Sequence, residues 1–553
     1  MAIRLSDVLD VLARGVTQTL ERQVLDEGPD QGGTVRADWG IAEPTGTCGL
    51  VALCGMLYIA RQLRPDVTPN VPEDADLLTR MSLATEYLMR VQRESGLIDL
   101  RDCNYDSSPD AAFAVLALCP VIELGRALRG RDAEWDGALK RIEVFTGMAA
   151  EGLPKGGFHT PNHRWVISAA MAWAGRLFPF MDFTRAIEAY LAEGIDADDD
   201  GAYIERSAGV YDAICDRSMM ILWELLGHEP ALRAAQANLA LNLHMLHPDG
   251  TIETGASRRQ DQGRRPVPGG LALPYLMAHR AEPDERFAQA ASFLWSSGRG
   301  DTAGLAYHIL RHGEPEAPHA EPRFPFDFRR AFPAIGLWRS RRGPISATAF
   351  AGTTRLFALV FGQAELSAVK ISQSYFGVGR FVGDVLADNE AGCMLRSDGD
   401  QDVHRPGYDM PLGRPVDPAR WFETRRERDW RALPYCVSRL TIREADDGFD
   451  LAYRTLHGAT GVTAQMALDF PVGGVWETGD TCLRPEAGQV LFLKHGSGAM
   501  RYGHDVIEVG PGADAHRMWA MRDAETAPDH VRVLLTFETP VDHTVCIRCR
   551  RRP

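Results

Sequence analysis

The stretch RHGEPEAPHAEPRFPFDF, residues Arg311–Phe328, decides the fold because the hydrophobic pattern changes across it. Its prolines and acidic residues disfavour a helix and indicate a linker between domains. Before it, apolar residues recur at helical spacing; after it, short runs alternate between apolar and polar residues. A chain of 553 residues also exceeds what one ordinary core supports. We therefore expect a helical domain followed by a β domain.

Roughly a dozen segments before the linker predict helices joined by Gly-, Pro- and Asp-rich connections. The clear segments are Val8–Val16, Leu50–Ile59, Leu77–Met89, Ala111–Ile122, Val166–Phe178, Val210–Leu226 and Leu232–Leu246. Weaker ones lie near Ile142, Ile187, Leu271, Phe287 and Leu305. Because no fixed sequence period is present, a closed (α/α) toroid of about six hairpins is favoured over a superhelical repeat array.

The C-terminal part contains short β-branched and aromatic runs separated by turn residues, as is typical of an antiparallel β-sandwich. Examples are ISATAFAG, RLFALVFG, SRLTIREA, FDLAYRTL, QVLFLKHG and VRVLLTFETP. We predict the toroid over residues 1–315, the linker over 316–330 and the sandwich over 331–553.

Charge and composition limit the possible partners. The net charge of −15 argues against nucleic acid or an anionic membrane, whereas a local arginine pocket still allows an acidic poly- or oligosaccharide. No uninterrupted apolar run has the length of a membrane span, and the first residues, MAIRLSDVLDVLARGV, predict an amphipathic helix. The ten cysteines are scattered without a clear pairing pattern, so we expect reduced thiols. We therefore expect a cytoplasmic protein, or a periplasmic one if a signal peptide was removed. The oligomeric state is left open.

The stretch GFHTPNHRWV places polar residues at the start of an apolar helix. Thr160 suits the N-cap and Pro161 the first helical position. Asn162 and His163 then occupy the first turn, where the helix dipole favours a bound carboxylate and a neutral imidazole. Arg164 would add positive charge. The alternative is a capped helix whose first turn only meets solvent.

A second polar stretch is DADDDGAYIERSAGVYD. Asp196, Asp198 and Asp200 have the spacing of a calcium loop, but Ser207 stands where the bidentate Glu is required, so an acidic turn is the better interpretation. Ser207 instead suits the cap of the next helix, whose first turn carries Tyr211. No cofactor is expected, because ligand spacing supports neither calcium nor a structural zinc.

Further polar and aromatic residues near helix starts are candidates to line the substrate groove. They are Trp39, Asn104, Tyr105, Arg206, Arg259 and Gln260. Trp39 offers a stacking platform for a sugar, and the arginines offer charge for an acidic one. Each of them alone is also compatible with a solvated loop.

These motifs resemble the heparinase II/III-like polysaccharide lyases and their alginate-lyase relatives. The resemblance rests on the Asn162-His163 pair and on DGAYIERSAGVYD, and it covers most of the chain. It implies β-elimination on 4-linked uronic acids, with Asn162 neutralising the carboxylate and His163 or Tyr211 transferring the proton. Relatives often carry histidines in the first sandwich strands, some as metal ligands. The stretch KISQSYFGVGRFVGD has none, so Tyr375 or His404 would take over the contribution of the sandwich.

Two other functions remain open. A glycoside hydrolase on the same toroid would need two carboxylates facing each other; the candidates are Asp110, Glu205, Asp212, Glu253 and Asp261. A non-catalytic glycan-binding protein would use the same aromatic and arginine lining without turnover.

Overall fold

The computed structural model describes residues 3–297, 300–318, 326–375, 378–397, 407–429, 436–521 and 524–552. Contacts divide the chain into two compact units. The helical unit comprises Met1–Leu246 and Gly250–Phe324, and the β unit comprises His247–Asp249 and Pro325–Pro553.

Twelve α-helices lie in the described part of the helical unit, each at a position that the sequence pattern predicts. They are α1 Leu5–Leu20, α2 Pro44–Leu63, α3 Asp74–Val91, α4 Ser108–Gly125, α5 Ala133–Gly152, α6 Pro161–Leu177, α7 Thr184–Ala192, α8 Tyr211–Leu226, α9 Glu229–Met245, α10 Ala272–Ala281, α11 Glu285–Ser297 and α12 Thr302–His312. Two short hairpins accompany them: β1 Thr34–Val35 with β2 Ala42–Glu43, and β3 Ile98–Leu100 with β4 Asn104–Ser107.

Alternate helices form the inner layer of this unit. Helices α2, α4, α6 and α8 pack side by side in chain order, α10 continues from α8, and α12 returns to α1 and α2. The inner helices are apolar around most of their circumference, since each lies between a neighbour on either side and an outer helix. Two segments, Pro44–Leu63 and Ser108–Leu128, are long and apolar enough to cross a membrane, but 72% and 67% of their apolar windows are buried inside the protein. The ring brings the starts of α6 and α8 next to each other.

The β unit contains eighteen of the strands in the described residues. They are β5 Phe328–Phe332, β6 Leu337–Arg342, β7 Ile345–Phe350, β8 Phe357–Phe361, β9 Ala364–Tyr375, β10 Val378–Arg380, β11 Val385–Asn389, β12 Gly392–Ser397, β13 Val437–Ala445, β14 Gly448–His457, β15 Thr463–Pro471, β16 Val475–Glu477, β17 Cys482–Leu483, β18 Val490–Phe492, β19 Gly498–Tyr502, β20 Asp505–Gly510, β21 His530–Glu538 and β22 Asp542–Arg551.

These strands form two nine-stranded sheets that enclose one apolar core. The first has the order β18-β21-β15-β9-β8-β7-β6-β5, with β10 attached to β9. The second has the order β11-β12-β13-β14-β22-β20-β19-β16-β17. All pairings are antiparallel except that of β18 with β21, which is parallel. Inward residues such as Leu359, Leu440, Leu451 and Val533 are fully or almost fully buried, as expected for the inner faces of a sandwich.

The predicted order of a helical domain and then a β-sandwich is confirmed. The linker, however, was predicted too long at its C-terminal end. Strand β5 already begins at Phe328, because Phe328–Phe332 alternates suitably and pairs with β6. Residues 319–325 of the predicted linker lie outside the described residues.

Candidate active site

Helix α6 begins as predicted, with Thr160 as the extended N-cap residue and Pro161 in the first turn. The Thr160 side chain, however, does not cap the helix. Its hydroxyl oxygen accepts a hydrogen bond from the Asn162 amide at 2.9 Å, which leaves it turned away from the backbone N–H groups. The hydroxyl therefore orients a side chain of the first turn.

Asn162 is 1% exposed, and its amide donates a second hydrogen bond to Glu205 Oε2 at 2.7 Å. Both amide hydrogens are thus used by the protein. The carbonyl oxygen Oδ1 is buried and has no hydrogen-bond partner within the described ranges. Asn162 is therefore held firmly, and in this orientation its one unused hydrogen-bonding atom is a buried acceptor.

Tyr211 is the first residue of α8, and its backbone N–H donates to Ser207 Oγ at 3.2 Å. The N-cap position is Val210, so Ser207 contacts the helix start but is not the N-cap residue that the sequence predicted. The phenolic oxygen accepts from Arg259 Nη2 at 3.3 Å and from Gln260 Nε2 at 3.0 Å. The Arg259 guanidinium also lies over the ring, 4.7 Å from its centroid. These donors favour negative charge on the phenolic oxygen.

The loop carrying Arg259 and Gln260 is fixed by one buried carboxylate. Asp261 accepts hydrogen bonds from Ser207 Oγ at 3.0 Å, from the backbone N–H of Gly209 at 3.1 Å and from the Ser257 hydroxyl. It therefore ties the loop before α8 to the loop that follows α9, so that both donors reach Tyr211.

Glu205 connects the two helix starts. One carboxylate oxygen accepts from Asn162, and the other lies 3.4 Å from Arg259 Nε. Glu205 is 6% exposed, and burial raises the pKa of its carboxyl group although Asn162 and Arg259 act in the opposite direction. The contacts thus run from Asn162 through Glu205 and Arg259 to Tyr211. The sequence pattern indicated Glu205 only as a candidate hydrolase carboxylate, and no local motif distinguishes it for this role.

His163 lies beside Asn162 on the same turn and is half-buried. Burial is the main cause that lowers the pKa of its imidazole to about 4; His159 and Arg259 act in the same direction and Asp110 opposes them. Nδ1 accepts the backbone N–H of His159 at 3.3 Å. A neutral ring that accepts at Nδ1 carries its proton on Nε2, which assigns His163 as a donor toward its surroundings.

Arg164 is not available for the predicted substrate contact. Its guanidinium is almost buried and forms ion pairs of 3.0 Å with Glu193 and with Asp196. It also lies over the Trp165 ring, 4.5 Å from the centroid. The helix turns this side chain away from Asn162, toward the carboxylates that follow α7. We therefore assign Arg164 a structural role.

The carboxylates of the acidic turn Asp196–Asp200 accept hydrogen bonds from the protein itself. Asp196 accepts from Arg164 and from Trp165 Nε1, and Asp198 Oδ1 accepts the backbone N–H groups of Asp200 and Ala202. Among the residues that the structure describes, no group of three or more His, Cys, Asp or Glu side chains is arranged to hold a metal.

Three of the remaining predicted lining residues contact protein groups other than those around Tyr211. Asn104 donates to Asp110 at 2.9 Å, Tyr105 is 75% exposed beneath Arg93, and Trp39 is covered by Arg36 at 3.7 Å. The substrate contacts predicted for these three residues stay predictions, as do those of Arg206, Tyr375 and His404.

The other predicted lining residues are Arg206, Tyr375 and His404. Arg206 has a positive φ of 51° in the turn before α8, and burial followed by Arg258 lowers the pKa of its guanidinium. Tyr375 is the last residue of β9, and His404 lies outside the described residues.

The carboxylates that a hydrolase would use are all at most 7% exposed: Asp110, Glu205, Asp212, Glu253 and Asp261. Each accepts hydrogen bonds from neighbouring protein groups. Burial raises the pKa of Asp212 to about 6, with Asn242 and Asn238 acting against this effect.

No protein-family model and no curated protein matches this sequence. Solved structures do match the fold. A crystal structure of heparinase III is 12% identical with a TM-score of 0.54, and the match covers 100% of this chain and 86% of that one. The chondroitin AC lyase of Streptomyces coelicolor A3, in complex with chondroitin sulphate, is 11% identical with a TM-score of 0.51, covering 98% and 78%. The chain therefore has the heparinase-like polysaccharide lyase fold, a helical toroid followed by a β-sandwich.

Proposed function

We propose that the protein is a polysaccharide or oligosaccharide lyase that cleaves uronic-acid-containing glycans by β-elimination. The observation that carries this proposal is the series of contacts from Asn162 through Glu205 and Arg259 to Tyr211. These contacts join an amide side chain at one helix start to a phenol at the next, and neutralisation of a carboxylate and proton transfer require groups of these two kinds. The likeness to heparinase III and chondroitin AC lyase, proteins that by name act on acidic glycans, supports it.

Tyr211 is the group we assign to proton transfer. As a phenolate held by Arg259 and Gln260, it takes the C5 proton beside the uronate carboxylate. The electrons of that bond form the C4–C5 double bond, and the bond from C4 to the leaving oxygen breaks. The phenol then returns the same proton to that oxygen. Tyr211 is regenerated and no water is consumed.

His163 serves as a donor in this proposal and not as the base. Its Nδ1 lone pair is occupied by the His159 backbone N–H, and its pKa of about 4 makes the neutral ring a poor proton acceptor at neutral pH. The Nε2–H group instead stabilises negative charge on the substrate as the enolate develops.

Asn162 must turn its amide to neutralise the substrate carboxylate. In the turned form the two amide hydrogens point to the substrate, and Oδ1 points to Thr160 and Glu205. An ionised Glu205 would repel Oδ1, whereas a protonated one donates a hydrogen bond to it. The raised pKa of Glu205 and the approach of an anionic substrate both favour the protonated acid. Glu205 thus positions Asn162, and it also holds Arg259 toward Tyr211.

The test is a panel of uronate polymers, namely alginate, polyglucuronate, chondroitin sulfate and heparan sulfate, incubated with wild type and Asn162→Ala. Ultraviolet absorbance of the unsaturated product and new reducing ends are measured in parallel. We expect both signals to rise together for at least one polymer with wild type and to fall about 10²-fold with the folded variant. Reducing ends without absorbance would mean hydrolysis. Binding without either signal would mean a non-catalytic glycan-binding protein.

A further inference from the structure

The outward face of the second sheet carries a groove of about 380 Å³. Along β13 and β14 the inward residues Leu440, Ile442, Leu451 and Tyr453 are fully buried in the sandwich core. The residues between them point to the opposite face, because side chains alternate along a strand. That face is exposed to solvent and is rich in arginine.

Three arginines stand in one register row across adjacent strands. Arg396 of β12 pairs with Arg439 of β13, which pairs with Arg454 of β14. Neighbouring strands lie about 4.8 Å apart, and like charges directly opposite each other are destabilising. Arg454 is compensated by Asp542 at 2.8 Å. Arg439, in the middle of the row, is half-buried, and its buried Nε has no hydrogen-bond partner in the part of the chain described.

A fourth arginine stands at the other side of the groove. Arg443 is exposed, and its register partner Asp450 accepts a hydrogen bond from Arg548 at 2.6 Å. Arg439 and Arg443 are four residues apart on β13, which corresponds to about 13 Å along an extended strand. The groove therefore has a guanidinium on each side.

The floor between the arginines consists of two threonines and apolar side chains. Two carboxylates also line the groove, and each accepts a hydrogen bond from the protein: Asp388 from Trp338 Nε1 at 3.0 Å, and Asp450 from Arg548. Thr441, Ala452 and Thr544 occupy one register row across β13, β14 and β22, and Met394 continues it on β12. Two hydroxyls and short apolar groups leave room for a sugar ring while offering hydrogen bonds. No aromatic side chain lines this groove in the described residues, so base stacking has no platform here.

We propose that this groove binds a stretch of acidic glycan, with carboxylate or sulfate groups seated on Arg439 and Arg443. Guanidinium groups match these anions in a bidentate geometry, and a bound anion relieves the repulsion within the arginine row. A nucleic acid is disfavoured because no aromatic side chain in the described lining of the groove offers a platform on which bases could stack. The groove is thus a second glycan-binding site, formed entirely by the β unit and independent of Tyr211.

The experiment measures binding of alginate, chondroitin sulfate and heparan sulfate to full-length protein in a Tyr211→Phe background, by affinity electrophoresis and calorimetry. The test variant is Arg439→Gln/Arg443→Gln. The matched control is Arg550→Gln/Arg552→Gln, which removes the same charge from exposed arginines paired with Glu508 and Glu477. We expect at least tenfold weaker binding of one polymer by the test variant and less than a twofold change in the control.

Unchanged polymer binding by the test variant, or an equal loss in the control, would overturn the proposal. Tighter binding of a single-stranded RNA than of every glycan would also overturn it. The proposal and the function fail separately. With Tyr211 intact, the test variant should raise the KM for a polymer, while kcat/KM for a tetrasaccharide is unchanged. If the wild-type protein shows no lyase activity but the test variant still loses polymer binding, the second site is supported and the proposed function is not.

Discussion

The helical unit and the outer sheet face use arginine in opposite ways. Around Tyr211, Arg259 is held by a buried carboxylate and directed to one oxygen atom, and Arg164 is fully occupied by ion pairs. On the sheet, Arg439 and Arg443 stand four residues apart on a strand, and within the described residues neither forms an ion pair with a carboxylate, although Asp450 is the register partner of Arg443. Arginines held by buried acids serve positioning, whereas arginines left open to solvent serve recognition. The predictions below test that distinction.

The largest effect is expected for Tyr211→Phe, which removes only the phenolic oxygen. Because the proposed mechanism uses that oxygen for both proton transfers, kcat for formation of the unsaturated product should fall about 10³-fold. Tyr408→Phe is the matched control: this tyrosine of the β unit also accepts a hydrogen bond from an arginine, Arg425, and lies under another, Arg428, and kcat should change less than twofold. Comparable activity of Tyr211→Phe and wild type would remove Tyr211 from the chemistry.

Glu205 should show the next largest effect. Glu205→Ala loses the group that holds both Asn162 and Arg259, and we expect kcat to fall about 10²-fold with KM changed much less. Glu205→Gln offers an N–H to Asn162 as the protonated acid does, so it should retain about ten times the activity of Glu205→Ala.

The pH profile separates positioning by Glu205 from general damage. In wild type, loss of the Glu205 proton as pH rises should contribute a decline in kcat, because the active form is the protonated acid. Glu205→Gln cannot lose that proton and should lack this decline. Identical profiles for wild type and Glu205→Gln would contradict the protonated form.

Arg164 should affect stability and leave chemistry nearly intact. Arg164→Gln breaks two ion pairs, one of them almost buried, so the free energy of unfolding should fall by about 2 kcal/mol in denaturant titration. The folded variant should keep kcat/KM within twofold of wild type. A large loss of kcat/KM without a loss of stability would return Arg164 to the substrate groove.

The smallest effect concerns the protonation of His163. The native imidazole has a pKa of about 4, against an ordinary value of 6.5. Between these values the unfolded chain binds a proton that the native protein does not, so stability is lost as pH falls from about 7 to 4. His163→Gln removes this dependence. Relative to the variant, wild type should lose about 1–2 kcal/mol over that range, reduced from the full value by partial solvent exposure. If the free energy of unfolding depends on pH in the same way for wild type and His163→Gln, burial does not lower the pKa of His163.

Much of the fold follows from local pattern. Pro161 and Ser207 mark the starts of α6 and α8, and alternating runs mark β7, β13 and β21. The longest strand among the described residues, β9, is not one of the runs found by alternation, because polar and small residues interrupt its apolar pattern. Only its second half, KISQSY, was compared with a sandwich strand, although β9 lies centrally between β15 and β8. Local sequence does not reveal such tertiary placement.

The site was predicted less completely than the fold, for the same reason. Asn162 and Tyr211 stand out because helix starts are readable from sequence. The connection by Glu205 was missed because Asn162 is 43 residues away along the chain. The ion pairs of Arg164 were not foreseen because Glu193 and Asp196 come from after the next helix. Side-chain pairing across elements decides which polar residue faces a substrate.

The most direct measurement is the mass of the products formed in water enriched in ¹⁸O, after a brief incubation with the uronate polymer that the protein cleaves. Elimination by Tyr211 consumes no water, so the new chain ends should contain no ¹⁸O, and one product should carry an unsaturated uronate. Incorporation of one ¹⁸O atom at each cleavage, without an unsaturated end, would contradict the proposed elimination.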